Sequence, residues 1–319
     1  MESHRTDVIF VRNKLFGLTN VCMNEAVEIW LVTTDHLEDG LWFPKESDFI
    51  AGMNLVAALA AEFPVFILAF ILMSNHVHFV LMATRTDAER FINEYKRRHS
   101  KYLNKKYGIE KLLKDNGVDV RLIPSGDEAP EKAIAYVQMN AVAANICIHS
   151  TQYPWGSGNV FFNPSLAKGT RLDSLSERAR IRILHSKTRM PGHWLLGDGE
   201  YILPQSFVRI DYVENLFRTP KRMDYFLRTS SKAKQRLKSK EDSMPSFKDQ
   251  IVLSAIPDLC RGLFQKQDLR ELSDSQMSEL LRQLKFRFSS NVHQLARVTG
   301  LSYDAAARLL DFDIANHQA

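Results

Sequence analysis

Two histidines, His76 and His78, stand two apart in the apolar stretch Met73-Ser74-Asn75-His76-Val77-His78-Phe79-Val80-Leu81-Met82. On a strand successive side chains alternate faces, so both imidazoles project one way while Val77 and Phe79 project the other. A pair of imidazoles aimed together from a buried strand is half of a metal site. The rival reading is a pair of core histidines whose ring nitrogens find hydrogen-bond partners in the protein. A metal needs a third ligand and a reaction needs a nucleophile, and the stretch Glu131 to Ile148 offers both. Tyr136 and Asn140 are four apart, so on a helix they share a face one turn apart. Asn140 can present its amide oxygen to a hard divalent cation, which completes an N/N/O set with open positions. Tyr136 would then hang over the metal, placed to attack a bound phosphate. Tyr102, in Arg98-His99-Ser100-Lys101-Tyr102, competes for that role, but one turn beyond it stands Lys106 rather than a ligand.

The elements that must position these residues follow from local pattern. Ala26 to Thr34 is rich in β-branched and aromatic residues and reads as a strand. Asp48 to Glu62 carries Phe49, Met53, Val56, Leu59 and Ala60 at helical spacing, and Pro64 stops it. Val65 to Met73 and His76 to Met82, joined by Ser74-Asn75, read as an antiparallel hairpin. Asp87 to Tyr107 is a long basic helix ended by Gly108, Val118 to Pro124 a further strand, and Glu131 to Ile148 a second long helix. The order strand–helix–strand–strand–helix–strand–helix describes an α+β fold, an antiparallel sheet with helices packed on it. On the basic helix Phe91, Tyr95 and Tyr102 form an apolar stripe for the sheet, and Arg97, Arg98, Lys101, Lys105 and Lys106 lie among the outward cations. Such a face suits a phosphate backbone, with a solvated helix surface as the alternative.

Composition bounds the reading. With 319 residues, 45% hydrophobic and 25% charged, the chain is long enough for more than one core and ordinary for a globular protein. A net charge of +5 favours a polyanionic partner, nucleic acid before membrane. The three cysteines, Cys22, Cys147 and Cys260, are far apart and odd in number, which fits a reducing compartment. The longest apolar run, Phe63 to Met73, is too short to span a bilayer, and the N-terminus lacks the apolar core of a secretory signal. A cytoplasmic location without a membrane partner is expected.

His76-Val77-His78 resembles the histidine–hydrophobic–histidine (HUH) motif of single-tyrosine DNA transposases, and Leu72-Met73-Ser74-Asn75 is similar to the lead-in of that motif. Tyr136-Val137-Gln138-Met139-Asn140-Ala141-Val142 resembles the Tyr-Ile-x-x-Asn-Pro-Val segment of the branch associated with repetitive extragenic palindromes (REP). Tyr153-Pro154-Trp155-Gly156-Ser157 is similar to the Tyr-Pro-Trp-Ser-Ser tail of that branch. The three motifs stand in the family's order over about residues 20–160. The resemblance implies a ferredoxin-like sheet with both histidines on a central strand and the tyrosine on a helix facing them. It implies Mg²⁺ or Mn²⁺ held by His76, His78 and Asn140, acting on a scissile phosphate as a Lewis acid. It further implies nicking and strand transfer of single-stranded or hairpin DNA, with Tyr136 displacing a 3′-hydroxyl to form a 5′-phosphotyrosine link. Two departures stand out: Ala141 replaces the usual proline, and Ala143 stands where an arginine is often found. They motivate a second expectation, a catalytically silent DNA-binding regulator on the same fold. An unrelated metallohydrolase would need further ligating histidines, and His99, His149, His185 and His193 offer no such setting.

The expected organisation is a catalytic domain over 1–165, a connecting region over 166–243, and a helical domain over 244–319. The connecting region holds a charged helix (Ser174 to Arg189), a tight hairpin at Gly197-Asp198-Gly199, and a basic linker with Lys232, Lys234, Arg236, Lys238 and Lys240. Gln294 to Leu310 reads as a helix-turn-helix, with Leu295, Ala296 and Val298 packing its first helix and Ser302 capping the second. Docked as such units dock, it would bring Tyr303, Asp304 and Ala307 near base edges, with Arg308 nearby; a plain helical hairpin is the alternative. A homodimer is a candidate assembly.

Overall fold

The computed structural model describes residues 25–34, 41–110, 113, 116–144, 146–231, 249–288 and 290–311. The basic linker expected at Lys232 to Lys240 lies outside the described residues. Four strands, β1 (Glu28–Thr34), β2 (Phe66–Met73), β3 (His76–Ala83) and β4 (Val118–Ile123), form one antiparallel sheet in the order β2-β3-β1-β4. Between them run α1 (Glu46–Glu62) and α2 (Arg85–Tyr107). A strand–helix–strand–strand–helix–strand chain closed in this order is the ferredoxin-like arrangement, and it puts β3 and β1 at the centre. All eight residues of β3 are buried.

The two sheet faces take different helices. α1 and α2 cover one, where Phe79 of β3 meets Phe91 and Tyr95 of α2 at centroid distances of 5.3 and 5.7 Å. The other face carries α3 (Ala129–Gln138), packed against β2, β3 and β4. α2 begins where Thr84 accepts from the Asp87 amide, and ends where Gly108 takes a left-handed φ of 67°.

The second long helix expected over Glu131 to Ile148 is instead broken. α3 stops at Gln138, Met139 leaves helical geometry at ψ 0°, and α4 (Asn140–Ala143) is a single turn. The cause is Asn140, whose amide nitrogen donates to the carbonyls of Tyr136 (2.9 Å) and Val137 (3.2 Å). Side-chain bonds of this kind compete with the helical ladder.

Tyr153-Pro154-Trp155-Gly156-Ser157 seals the outer edge of β2. The Leu72 amide donates to the Trp155 carbonyl (2.8 Å), the Ser157 amide to Phe70 (3.0 Å), and the Tyr153 hydroxyl to Leu72 (2.7 Å). Gly156 is required there, since a Cβ would lie 2.7 Å from the Phe70 oxygen. Without this cover β2 would present an unpaired apolar edge, a template for association.

Beyond the sheet come β5 (Thr170–Arg171), α5 (Glu177–Leu184), β6 (Leu195–Leu196), α6 (Ile210–Phe217) and α7 (Pro220–Thr229). α5 is shorter than the helix expected over Ser174 to Arg189. It ends at His185, whose φ is 51°, and Thr188 beyond it bonds Glu62 rather than the helix. The Gly197-Asp198-Gly199 loop closes with the Gly197 amide on Tyr201 and the Leu203 amide on Leu195, each 2.9 Å. Leu172, Trp194, Phe207 and Val213 of this segment belong to the same apolar core as the sheet.

A second core, with Val252, Leu281, Leu284, Leu295 and Val298, joins α8 (Asp249–Phe264), α9 (Asp274–Phe288), α10 (Val292–Thr299) and α11 (Tyr303–Asp311). Among the described residues no helix is long and apolar enough to cross a membrane.

One buried carboxylate ties this helical unit to the sheet. Asp249, 3% exposed, accepts from Arg297 Nε (2.9 Å) and Nη2 (3.2 Å), from Gln294 Nε2 (3.0 Å) and from the Ser74 hydroxyl (2.8 Å). Burial pushes its carboxyl up, but the Arg297 charge and these hydrogen bonds outweigh burial and hold it below the ordinary aspartate value. A depressed folded-state value means the stabilisation is complete above the unfolded aspartate pKa of about 3.9 and fades as pH falls through the lower folded one. Arg297→Met strands the charge and is expected to cost about 3–5 kcal/mol at neutral pH, shrinking in acid. Urea melts of both proteins between pH 7 and pH 3 measure this; an equal loss at both ends would contradict it.

Candidate functional site

The register of the sheet assembles the site. Thr33 of β1 stands opposite His78 of β3 on one side and Asp119 of β4 on the other. Directly opposed residues share a face, so Asp119, Thr33 and His78 form a row across the sheet, with Arg121, Leu31 and Val80 in the next. His76 joins the histidine face by alternation along β3. The imidazoles of His76 and His78 lie 4.7 Å apart, centroid to centroid, with planes at 89°. Above them the Tyr136 ring lies 5.7 Å from that of His78, at 86°.

Each imidazole is oriented through Nδ1. Thr33 Oγ1 is 2.9 Å from Nδ1 of His78, and Asn75 Oδ1 is 2.9 Å from Nδ1 of His76. Outer partners of this kind fix ring orientation in metal sites and make Nε2 the ligating atom. His76 and His78 are 5% and 1% exposed, so neither ring has room to swing. Asn140 is also buried, and its amide nitrogen is spent on the carbonyls of Tyr136 and Val137 in α3, so its oxygen is the atom it could give a cation. The donor set fits a divalent ion as two imidazole nitrogens and one amide oxygen. Among the described residues no group of three or more histidines, cysteines or carboxylates is placed to hold a metal.

Tyr136 is half-buried, and burial raises its phenol above the ordinary tyrosine value. Arg121 pulls it back down and Asp119 adds to the rise. The Arg121 Nη2 and Asp119 Oδ2 are themselves paired at 2.9 Å. Thr33, Asp119 and Arg121 are the residues that motif reading missed, and their signal is register, which no short motif carries. Asn75 stands in the lead-in to the histidine motif, which by itself assigns it no role.

The other sequence-expected residues lie elsewhere. Tyr102 is on α2, on the opposite sheet face. Its hydroxyl donates to Asp48 (2.8 Å), and burial, together with that hydrogen bond and charge, raises its phenol far above the ordinary value. It is a poor nucleophile. Arg97 pairs with Glu94, Arg98 with both Glu94 and Glu62, and Lys106 with Asp48. Lys101 and Lys105 are exposed. On α11, Tyr303 is exposed with its ring 4.5 Å from that of His293 and tilted by 32°, and Arg308 is exposed. α10 and α11 meet across Gly300, which has a φ of 74°, and Ser302 Oγ accepts from the Ala305 amide (3.2 Å).

A comparison with curated proteins returns no match. Among solved structures, that of a REP-associated tyrosine transposase bound to a REP hairpin is similar over 44% of this chain and 82% of its own, at 12% identity and a TM-score of 0.33. The model of the family described as "Transposase IS200 like" matches residues 50–117, which take in most of α1, the β2–β3 hairpin with both histidines, and the whole of α2. Over that stretch the chain is similar to the IS200-like transposase family.

Proposed function

We propose that this protein nicks and rejoins single-stranded, hairpin-bearing DNA through a 5′-phosphotyrosine intermediate on Tyr136, with Mg²⁺ or Mn²⁺ as cofactor. The observation that carries the reading is the ring contact of Tyr136 with His78, whose imidazole is itself packed against that of the buried His76. His76, His78 and Asn140 would hold the ion, which supplies Lewis-acid polarisation of the scissile phosphate. The chain's own groups do the rest. Thr33 and Asn75 keep Nε2 of each imidazole turned toward the ligand position. The Tyr136 oxygen forms the new bond to phosphorus while the bond to the 3′-oxygen breaks, and the departing 3′-hydroxyl takes up a proton. Arg121 favours the phenolate that this attack requires. Because the phosphodiester energy is kept in the tyrosine ester, a second 3′-hydroxyl can reverse the step without a nucleotide cofactor.

A catalytically silent DNA-binding regulator is the second reading, favoured by Ala141 and Ala143 at the usual proline and arginine positions and by the helix–turn–helix pattern of α10 and α11. Labelled hairpin oligonucleotide with Mn²⁺ separates the two. A covalent adduct is expected from the native chain and none from Tyr136→Phe; tight hairpin binding with no adduct under any divalent ion would favour the regulator.

Two further outcomes follow from the geometry. Thr33→Val keeps the shape of β1 but removes the contact to His78 Nδ1, so Mn²⁺ affinity, read by calorimetry, should fall about 10- to 100-fold. On α2, Lys101→Ala combined with Lys105→Ala should flatten the slope of log affinity against log salt for single-stranded DNA by about 1.4, near 0.7 for each phosphate that is no longer neutralised. Lys106→Ala should leave that slope alone and lower the melting temperature, since its ammonium is committed to Asp48.

A further inference from the structure

The turn that delivers His76 is held from outside. Ser74 and Asn75 join β2 to β3 in a two-residue connection. Turns of this length favour types I′ and II′, which need a positive φ, because only those match the twist of the flanking strands. Neither Ser74 nor Asn75 has a positive φ, so the connection lacks the geometry that would make it self-supporting. Two restraints bear on Ser74. Its carbonyl accepts from the amides of Trp42 (2.8 Å) and Phe43 (3.2 Å), and its hydroxyl donates to Asp249 (2.8 Å). Asp249 opens α8, 175 positions along the chain, and is itself gripped by Arg297 and Gln294 of α10. The residue after Ser74 is Asn75, whose side-chain oxygen orients the His76 ring.

We infer that Asp249, locked by Arg297, is a positioning residue for His76: the C-terminal helices fix the Ser74-Asn75 turn, and Asn75 passes that constraint to the imidazole. The inference rests on reading His76 as a metal ligand. Stability alone is a weak reason for such a contact, because a buried ion pair adds little that well-packed apolar side chains would not, whereas it specifies one arrangement of the groups it joins. Full restraint of the turn therefore requires the docked helical unit. Lifting α8 and α10 from the sheet would remove the hold on the Ser74 hydroxyl and leave the turn to the Trp42 and Phe43 amides.

The test uses the full chain, in wild-type form and as Ser74→Ala, Ser74→Thr and Leu284→Ala. Mn²⁺ binding is followed by electron paramagnetic resonance, and the His76 ring nitrogens by NMR of ¹⁵N-histidine-labelled protein. Ser74→Ala should weaken Mn²⁺ binding about tenfold, within the range known for outer partners, and change the His76 nitrogen signals. Ser74→Thr, which keeps the hydroxyl, should restore both. Leu284→Ala, in the second core away from the clasp, should lower the melting temperature while leaving Mn²⁺ affinity and the His76 signals unchanged. Wild-type Mn²⁺ affinity and unchanged His76 signals in Ser74→Ala would overturn the inference, as would equal weakening in Leu284→Ala. If the wild type binds no Mn²⁺, the metal reading fails by itself, and the His76 signals in Ser74→Ala then decide the positioning claim.

Discussion

The alternation of one fully buried strand governs this structure. Every residue of β3 is shielded, so each side chain must satisfy whichever face it meets. Val77 and Phe79 go to the apolar layer under α2, and that choice commits His76 and His78 to the layer under α3. A one-residue slip would put two imidazoles among Phe91 and Tyr95 and two apolar groups under Tyr136, so the register is strongly specified. Phe79 is therefore as much a determinant of the histidine site as the histidines are. Its edge-to-face packing against Phe91 and Tyr95 fixes which way the neighbouring rings face.

Burial makes the site rigid, and it obliges the rest of the chain to enclose it. β2 is an edge strand with every residue but its first buried, which requires the Tyr153 to Ser157 segment along one stretch and the Val208-Arg209 segment along another. The turn between β2 and β3 requires the Trp42 and Phe43 amides and Asp249. Segments far apart in sequence thus converge on one hairpin, and a buried ion pair where the two cores meet lies at its tip. Apolar contact alone would tolerate sliding of one core over the other, whereas a bidentate guanidinium–carboxylate pair fixes one registration.

Much of this was legible in the sequence because it is local. The strands, the long basic helix with its Gly108 stop, and the histidine hairpin each follow from periodicity and turn residues, and their order gives the sheet. Three features escaped for physical reasons. The break after Gln138 depends on the Asn140 side chain turning back onto its helix, in a stretch whose periodicity reads as continuous. Thr33, Asp119 and Arg121 enter the site through cross-strand register, a pairing between segments at opposite ends of the sheet-forming stretch. The charges of α2 read as an outward basic face, yet Glu94, Glu62 and Asp48 neutralise Arg97, Arg98 and Lys106. Two of those three carboxylates lie on α1, so the cancellation becomes visible only once the helices are packed.

That cancellation bears on how a polyanion would be held. A guanidinium paired to two carboxylates offers a phosphate little net attraction, and re-pairing must first break charge-assisted hydrogen bonds. Arg121 differs. It pairs with an exposed carboxylate, Asp119, and sits in the row beside Thr33, on the face that bears the histidines. The same guanidinium opposes the burial that disfavours the Tyr136 phenolate, while Asp119 works against it. A phosphate arriving at this face would compete with Asp119 for Arg121. The exchange would trade one anion for another beside the same guanidinium, so the charge felt by the Tyr136 phenol depends on which anion Arg121 holds.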